Sequence, residues 1–221
     1  MAALTWDETG KHFYDTGLDR GVLYVWDPTA SKYSKGVAWS GLTKVTDKPT
    51  GAEITKLYAD NIPYLSMISA EEFEATIEAY TFPDEFFACD GVVDQKGVRM
   101  GQQARRSFCL SYRTIRGNDT DGNAHGETIH LLYGLLASPS EKARETINSS
   151  PTATTFSWSC KSTPISATGL KPVSSLEVAS DSVKPKAFKA LKDKLWGSAS
   201  DDATLLLPDE VTALIETNST P

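Results

Sequence analysis

The chain has 221 residues, of which 40% are hydrophobic and 10% aromatic, so it has enough apolar surface for one substantial core and is not disordered throughout. Its net charge of −7 argues against tight nucleic-acid binding, because phosphate contacts need a surplus of Lys and Arg. No run reaches the roughly 18 apolar residues of a membrane span, and the N-terminus lacks an export signal, so no membrane partner is expected.

We expect a single domain over residues 1–221, with a flexible N-terminal segment at about residues 1–20 and a fraying C-terminal tail at about residues 212–221. The three cysteines, Cys89, Cys109 and Cys160, are odd in number and far apart. They indicate buried thiols rather than a disulfide framework or a zinc site.

Two runs rich in β-branched and aromatic residues come first, RGVLYVWD at residues 20–27 and GVAWSGLTKV at residues 36–45. The polar segment between them supplies turn residues such as Pro28 and Ser31, which predicts a hairpin. Residues 46–61 follow as a long polar stretch with few structure-forming residues, and we interpret them as a loop.

Residues 69–79 alternate apolar and polar side chains, with Phe73, Ile77 and Ala79 on one face, as in a strand with one buried face. A helix is the alternative, because Ser69 and Glu72 imitate a capping box, but its apolar face would be poorly defined. We therefore predict a strand that ends before Pro83, followed by a short helical turn in PDEFFACDG.

A second hairpin is predicted from residues 108–115 and 128–136, joined by the loop GNDTDGNAHG at residues 117–126. The clearest strand pattern in the chain is at residues 156–160, where Phe156, Trp158 and Cys160 alternate with serines.

One amphipathic helix is predicted over residues 183–196, with Ser182 as its N-cap, Pro185 in its first turn and Gly197 just past its end. These residues carry five lysines against one aspartate, or +4, so the rest of the chain carries −11 of the total of −7. An ordinary solvated helix face explains the lysines, and an outward-facing interaction surface is the alternative.

No set of residues predicts chemistry, so no catalytic, cofactor-binding or metal-binding residue is assigned and no cofactor is expected. The histidines His12, His125 and His130 do not have metal-ligand spacing. A calcium-loop fragment in residues 119–123 lacks the bidentate Glu of a complete loop, which favours a hairpin turn. The five tryptophans could form a sugar platform, but core or interface anchoring is their more common role.

Five stretches of the chain together carry a family resemblance. The first two are residues 36–91, from GVAWSGLTKV to EFFACDG, and GQQARRSFCLSYRTIRGNDTDG at residues 101–122. The next are HLLYGLLASPSEKARETINSSP at residues 130–151 and TFSWSCKSTPI at residues 155–165, and the last is KAFKALKDKLWGSASDDATLLLPDEV at residues 186–211. In these stretches, which cover nearly the whole chain, the sequence resembles the major tail tube proteins of long-tailed bacteriophages, and the last stretch is similar to the family's C-terminal helix and last strand.

This resemblance implies a mainly β fold, in which two antiparallel sheets form a sandwich or partial barrel flanked by one α-helix. It also implies a non-enzymatic virion subunit that forms hexameric rings, which stack into the tail tube through which phage DNA passes without specific binding. The implied partners are further copies of the chain, the tape measure protein, the tail terminator and the baseplate or tail-tip proteins. Assembly would take place in the cytoplasm of the bacterial host.

Two hypotheses follow from these expectations. Residues 46–61, and then residues 117–126, are the candidates for ring-to-ring contacts, because mobile polar loops can become ordered on contact. The acidic excess would line the channel and repel phosphates. The alternatives are a β-sandwich binding module, such as an adhesin or carbohydrate-binding domain, and another virion protein, such as a decoration or tail-completion protein.

Overall fold

The computed structural model describes residues 4–146 and 153–219, and it is mainly β with antiparallel sheets and two α-helices. This confirms the predicted fold class, with one helix more than expected. The strands are β1 Tyr14–Asp27, β2 Lys32–Tyr33, β3 Val37–Trp39, β4 Leu42–Gly51, β5 Ile54–Ala59, β6 Ile62–Ile68, β7 Glu71–Ala79, β8 Val93–Gln95, β9 Val98–Met100, β10 Phe108–Asn118, β11 Gly122–Ala137, β12 Phe156–Ser162 and β13 Ser175–Ala179. The α-helices are α1 Pro185–Trp196 and α2 Pro208–Ser219, and a 3₁₀ helix spans Asp84–Ala88.

Nine strands form one antiparallel sheet in the order β2-β1-β10-β11-β12-β7-β4, with β3 beside β1 and β13 beside β11. The sheet folds over on itself, because β7 and β12 share one apolar core with β1 and β10 although they lie several strands away in the order. Ile77, Trp158 and Leu110 are buried together in this core, which is the interior of a sandwich.

The opposite face of β1, β10 and β11 is covered by the two helices. Phe188 and Leu191 of α1 and Val211 of α2 pack with Tyr24 and Tyr133 from the sheet. Successive residues of a strand point to opposite faces, so the central strands need apolar side chains on both faces, and β1 accordingly has the buried run from Val22 to Val25.

A β-bulge at Gly134 marks the corner of the folded sheet. Phe108 lies opposite Leu135 and Leu110 opposite Leu132, so β11 has one residue more than β10 in this interval. Gly134 has φ +57°, and a Cβ there would lie 2.1 Å from the carbonyl oxygen of Thr163. The extra residue allows Leu132 and Leu135 to face the same core.

Both strands with clear alternation are confirmed. β7 buries Ala75, Ile77 and Ala79, and β12 buries Trp158 and Cys160. The 3₁₀ helix at Asp84–Ala88 confirms the predicted turn, and all three cysteines are buried free thiols.

The two predicted hairpins differ in outcome. β10 and β11 form the second hairpin, but they continue into the predicted loop and leave a short turn before Gly122. The first hairpin is correct only in part, since β1 pairs with β2 and β3 whereas β4 pairs with β7.

The predicted chain ends need correction within the described residues. β1 begins at Tyr14, so residues 14–20 belong to the sheet rather than to a flexible segment. Residues 208–219 form α2, so the predicted tail at residues 212–221 is helical as far as Ser219. Pro208 lies in the first turn, where a missing N–H costs nothing, and Asp209 and Glu210 favour that end of the helix dipole.

Helix α1 confirms the predicted apolar face, with Ala187, Phe188, Leu191 and Leu195 buried. Its N-cap is Lys184 rather than Ser182, because Pro185 occupies the first helical position. Gly197 follows the last turn with φ +79°, as expected for a glycine at a helix end.

Candidate assembly surface

A two-stranded arm projects from the folded sheet between β4 and β7. We use "the arm" for residues 52–70, which contain β5, β6 and their short connections to β4 and β7. Asp60 and Asn61 form its tip with φ +51° and +63°, between the paired residues Ala59 and Ile62. Two positive φ angles are the signature of a type I′ turn, which matches the twist of a hairpin. The predicted loop at residues 46–61 is therefore largely strand.

The arm exposes an unusual amount of apolar surface. Eight of its large apolar side chains are between 46% and 73% exposed: Ile54, Leu57, Tyr58, Ile62, Tyr64, Leu65, Met67 and Ile68. The charged residues in its sequence are Glu53, Lys56 and Asp60. A continuous exposed apolar surface with so few charges is typical of a protein interaction site.

The strand register shows which of these side chains lie together. Leu57 is paired with Leu65, Thr55 with Met67, and Ala59 with Ile62, and residues paired across an antiparallel ladder share a face. One face of the arm thus carries Leu57, Ile62, Leu65 and Met67, whereas Ile54 and Ile68 lie on the other face. A two-stranded hairpin of this kind is marginally stable alone in water, and burial of this face against another surface would stabilise it.

The base of the arm is a tight bend. Gly51 has φ +85° and Ala52 has φ +53°, and a Cβ on Gly51 would lie 2.2 Å from the carbonyl oxygen of Ala70. Beyond the bend, the N–H of Ser69 donates to the carbonyl of Glu53 over 3.0 Å, and the N–H of Glu53 donates to the Ser69 hydroxyl over 3.0 Å. The bend fixes where the arm leaves the sheet.

Two strands also offer free edges. β4 is the last strand in the sheet order. Within residues 4–146 and 153–219, β3 and β2 cover one side of β1 only from Gly21 onward, so residues 14–20 pair there with β10 alone. Unpaired backbone N–H and C=O groups along an edge can pair with a strand of another chain.

The turn between β10 and β11 binds the N-terminal segment. The Asp119 carboxylate accepts hydrogen bonds from the N–H of Gly10 over 2.9 Å and from the N–H of His12 over 3.3 Å. The bond from the N–H of Gly10, followed by a side-chain hydrogen bond from His12, lowers the pKa of Asp119 to about 2, because both stabilise the charged form. Asp121 accepts from Asn118 over 3.2 Å. This turn, which the sequence predicted, is therefore engaged in internal hydrogen bonds.

A hydrogen-bonded chain joins Thr114, His130 and Glu177. The Thr114 hydroxyl is 2.8 Å from Nε2 of His130, and Nδ1 of His130 is 3.1 Å from the Glu177 carboxylate. Hydrolases use this order of hydroxyl, imidazole and carboxylate together with backbone N–H groups that bind an oxyanion. Thr114, however, is paired on both sides, with Leu18 and with Thr128, so its strand uses its N–H groups in the sheet. The chain of bonds ties β10, β11 and β13 together.

The lysine-rich face of α1 is attached to the sheet at one point. Lys192 forms an ion pair with Glu127, which also binds Arg113 over 2.7 Å, and Arg113 binds Asp19 over 2.7 Å. Burial alone would raise the pKa of Glu127, but its hydrogen bonds from Lys192 and Arg113 outweigh burial and lower the pKa. The hydrogen bond from Arg113 likewise lowers the pKa of Asp19.

The tryptophans are divided between the core and the surface. Trp39 and Trp158 are buried, and their ring centroids are 5.8 Å apart, whereas Trp6 is 75% exposed in the N-terminal segment. Such a distribution gives no row of exposed rings for a sugar platform, and Trp6 is a candidate contact residue.

Within residues 4–146 and 153–219, no group of three or more His, Cys, Asp or Glu side chains is arranged to hold a metal ion. In the same part of the chain, neither helix has the length and apolar character needed to cross a membrane. The arm was missed in the sequence because its strands are not buried, so the usual apolar-in, polar-out alternation is weak. The signal that could have revealed it is the density of large apolar residues between Ile54 and Ile68.

No protein-family model matches the chain. No curated protein is similar enough to count as a relative.

Proposed function

We propose that this chain is a structural subunit of a bacteriophage tail tube, and that it acts by polymerising into hexameric rings that stack. The observation that carries the proposal is the arm, whose apolar face is exposed in the single chain. Burial of apolar surface contributes about 25 cal/mol per Å², so burying this face would favour association strongly. The resemblance of the sequence to tail tube proteins supports the same function.

The free strand edges support ring formation. β4 of one copy and residues 14–20 of the next could pair and extend the sheet around a ring, which would remove both exposed edges. The subunit would then be a component of the virion, in contact with the tape measure protein, the tail terminator and the baseplate or tail-tip proteins. The hydrogen-bonded Thr114, His130 and Glu177 would have structural roles rather than enzymatic ones.

The experiment is to replace two leucines on the apolar face of the arm, Leu57→Ser and Leu65→Ser, in the full-length chain. Sedimentation velocity and negative-stain electron microscopy would then follow assembly. We expect the wild type to form rings or tubes and the double variant to remain monomeric. Its circular dichroism spectrum should stay close to that of the wild type, because both leucines lie outside the two buried cores.

The matched control is Leu170→Ser with Leu207→Ser, two exposed leucines outside the arm. These substitutions should leave assembly unchanged. Equal assembly of the arm variant and the control would contradict a role of the arm in polymerisation, and a wild type that stays monomeric would contradict the proposed function itself.

A further inference from the structure

A β-bulge in β1 carries an arginine in a strained conformation. The register of β1 against β10 shifts after Asp19, so Arg20 and Gly21 together face Tyr112. Arg20 has φ +54°, and among the strands that the structure describes it is the one non-glycine residue with a positive φ. The left-handed region is unfavourable for an arginine, and strain of this kind is typically kept where a side chain must be held for binding.

The bulge places the Arg20 side chain over an aromatic ring. Its guanidinium carbon lies 5.7 Å from the ring centroid of Trp196, the last residue of α1. The second bulge residue, Gly21, has no room for a side chain, because a Cβ there would lie 2.3 Å from Cδ1 of Leu42. The neighbouring Asp19 carboxylate is already bound by another arginine. In the described part of the chain, Arg20 itself forms no ion pair.

The bulge borders a cleft of about 470 Å³ beside the end of α1, and we call it the α1 cleft. Its lining contains Arg20 and Trp196 together with Asp201 and Asp202 from the segment that follows the helix. Asp202 is exposed, and its carboxylate forms no hydrogen bond or ion pair with any described residue. A cation and an anion therefore share one cleft without pairing with each other. The size of the cleft is within the range of small-molecule sites, about 300–1,000 Å³.

Backbone hydrogen bonds fix the segment that carries the two aspartates. The N–H of Ser198 donates to the carbonyl of Asp201 over 2.9 Å, and the N–H of Asp201 donates to the Ser198 hydroxyl over 3.2 Å. The N–H of Gly36, just before β3, donates to the carbonyl of Ala203 over 2.8 Å. The acidic side of the cleft is therefore formed before any ligand binds, which lowers the entropic cost of binding.

We propose that the α1 cleft binds a small zwitterion of the amino-acid or short-peptide class. A carboxylate suits the planar guanidinium of Arg20, which can donate two parallel hydrogen bonds to it. An ammonium group suits Asp201 and Asp202, and the C-terminal end of the α1 dipole favours it further. A ligand that carries both charges is complementary to both parts of the lining, whereas a ligand with one charge leaves the other part unpaired. This binding does not depend on polymerisation.

The test uses glycylglycine and two analogues of similar size, each with one charge blocked. N-acetylglycylglycine lacks the ammonium group, and glycylglycine amide lacks the carboxylate. Ligand-observed saturation-transfer NMR with the full-length protein gives the affinities whatever its assembly state. We expect saturable binding of glycylglycine that is at least about tenfold tighter than that of either analogue. The absence of saturable binding, or equal affinity for all three compounds, would overturn the proposal.

Arg20→Asn removes the guanidinium without disturbing the bulge, because asparagine tolerates the left-handed region. It should weaken glycylglycine binding at least about tenfold, while its urea denaturation midpoint stays at or above that of the wild type. The matched control is Arg144→Asn, at an exposed arginine outside the cleft lining, and it should change the affinity by less than about twofold. Asp202→Asn should reduce the preference for glycylglycine over N-acetylglycylglycine. Equal affinities of the two arginine variants would contradict the proposal.

Discussion

Gly134 is the residue on which the corner of the folded sheet depends. It combines a positive φ of +57° with a close approach to the backbone of Thr163, so no other residue fits without a shift of the main chain. The bulge lies where β11 changes its neighbour from β13 to β12, and the facing layer of the sandwich begins there.

We therefore expect Gly134→Ala to reduce the free energy of unfolding by about 2 kcal/mol or more, from backbone strain together with a steric clash. Gly169→Ala is the matched control, because Gly169 also has a positive φ but has open space around it. It should cost about 1 kcal/mol. Urea denaturation measures the free energy of unfolding of both variants. Equal midpoints would show that the contact with Thr163 does not contribute to stability.

The ion network of Asp19, Arg113, Glu127 and Lys192 predicts a pH dependence. The folded state lowers the pKa of both Asp19 and Glu127, so their contribution to stability is present above the ordinary carboxylate range near pH 4. That contribution is lost as the pH falls through the lowered pKa values. Stability should therefore decrease on acidification from about pH 5 to pH 3.

In Glu127→Gln, the plot of unfolding free energy against pH should be flatter over that interval than in the wild type, because one linked carboxylate has been removed. Glu145→Gln changes an exposed carboxylate outside the network and serves as the control. Chemical denaturation at several pH values gives the comparison. An unchanged slope in Glu127→Gln would mean that the network does not couple folding to protonation.

At the scale of elements, the strands whose hydrophobic pattern is set by burial could be predicted from the sequence. Elements that are mostly exposed could not. β7 and β12 have one buried and one exposed face, so their period of two is visible in the sequence. β1 is buried on both faces from Gly21 to Val25, yet its dense β-branched and aromatic run still indicated a strand.

The arm and α2 were missed for different physical reasons. The arm is exposed on both faces, so burial imposes no alternation on it, and its turn residues Asp60 and Asn61 were interpreted as part of a loop. For α2, the acidic residues at the end of the chain were interpreted as a fraying tail, because only Pro208 and Val211 of this helix are buried and its apolar pattern is weak. The predicted contact loop at residues 46–61 includes β5, which is half of the arm. Its pairing partner β6 was not recognised in the sequence.

We expect helix α2 to contribute to the stability of the folded domain. Val211 is buried against the core that contains Tyr133 and Leu195, so Val211→Ala should cost roughly 1.5–2 kcal/mol of unfolding free energy for two lost methyl groups. Thr217→Ala, at an exposed position of the same helix, should change stability by less than about 0.5 kcal/mol. Similar denaturation midpoints for both variants would indicate that α2 does not pack in solution.

At the scale of the whole molecule, the proposed tube needs contacts between rings and contacts within a ring. The exposed arm is the candidate for the first, and the free edges on β1 and β4 are the candidates for the second. The charge is also segregated, with +4 in residues 183–196 and −11 in the remaining sequence. In the proposed tube, helices that face outward would leave the acidic part of the chain to line the channel.

We expect the channel wall of the assembled tube to bear more Asp and Glu side chains than Lys and Arg side chains, so that DNA slides without sticking. An atomic reconstruction of the tube would show this directly. A channel with a net positive wall would contradict electrostatic repulsion of the genome, whatever the outcome for assembly.

Cryo-electron microscopy of the purified full-length chain tests the central claim most directly, because it shows both the symmetry and the contacts of any polymer. We expect stacked six-fold rings in which the arm of each subunit is buried against a neighbouring ring. Particles that are uniformly monomeric at high protein concentration, with the arm exposed as in the single chain, would contradict it.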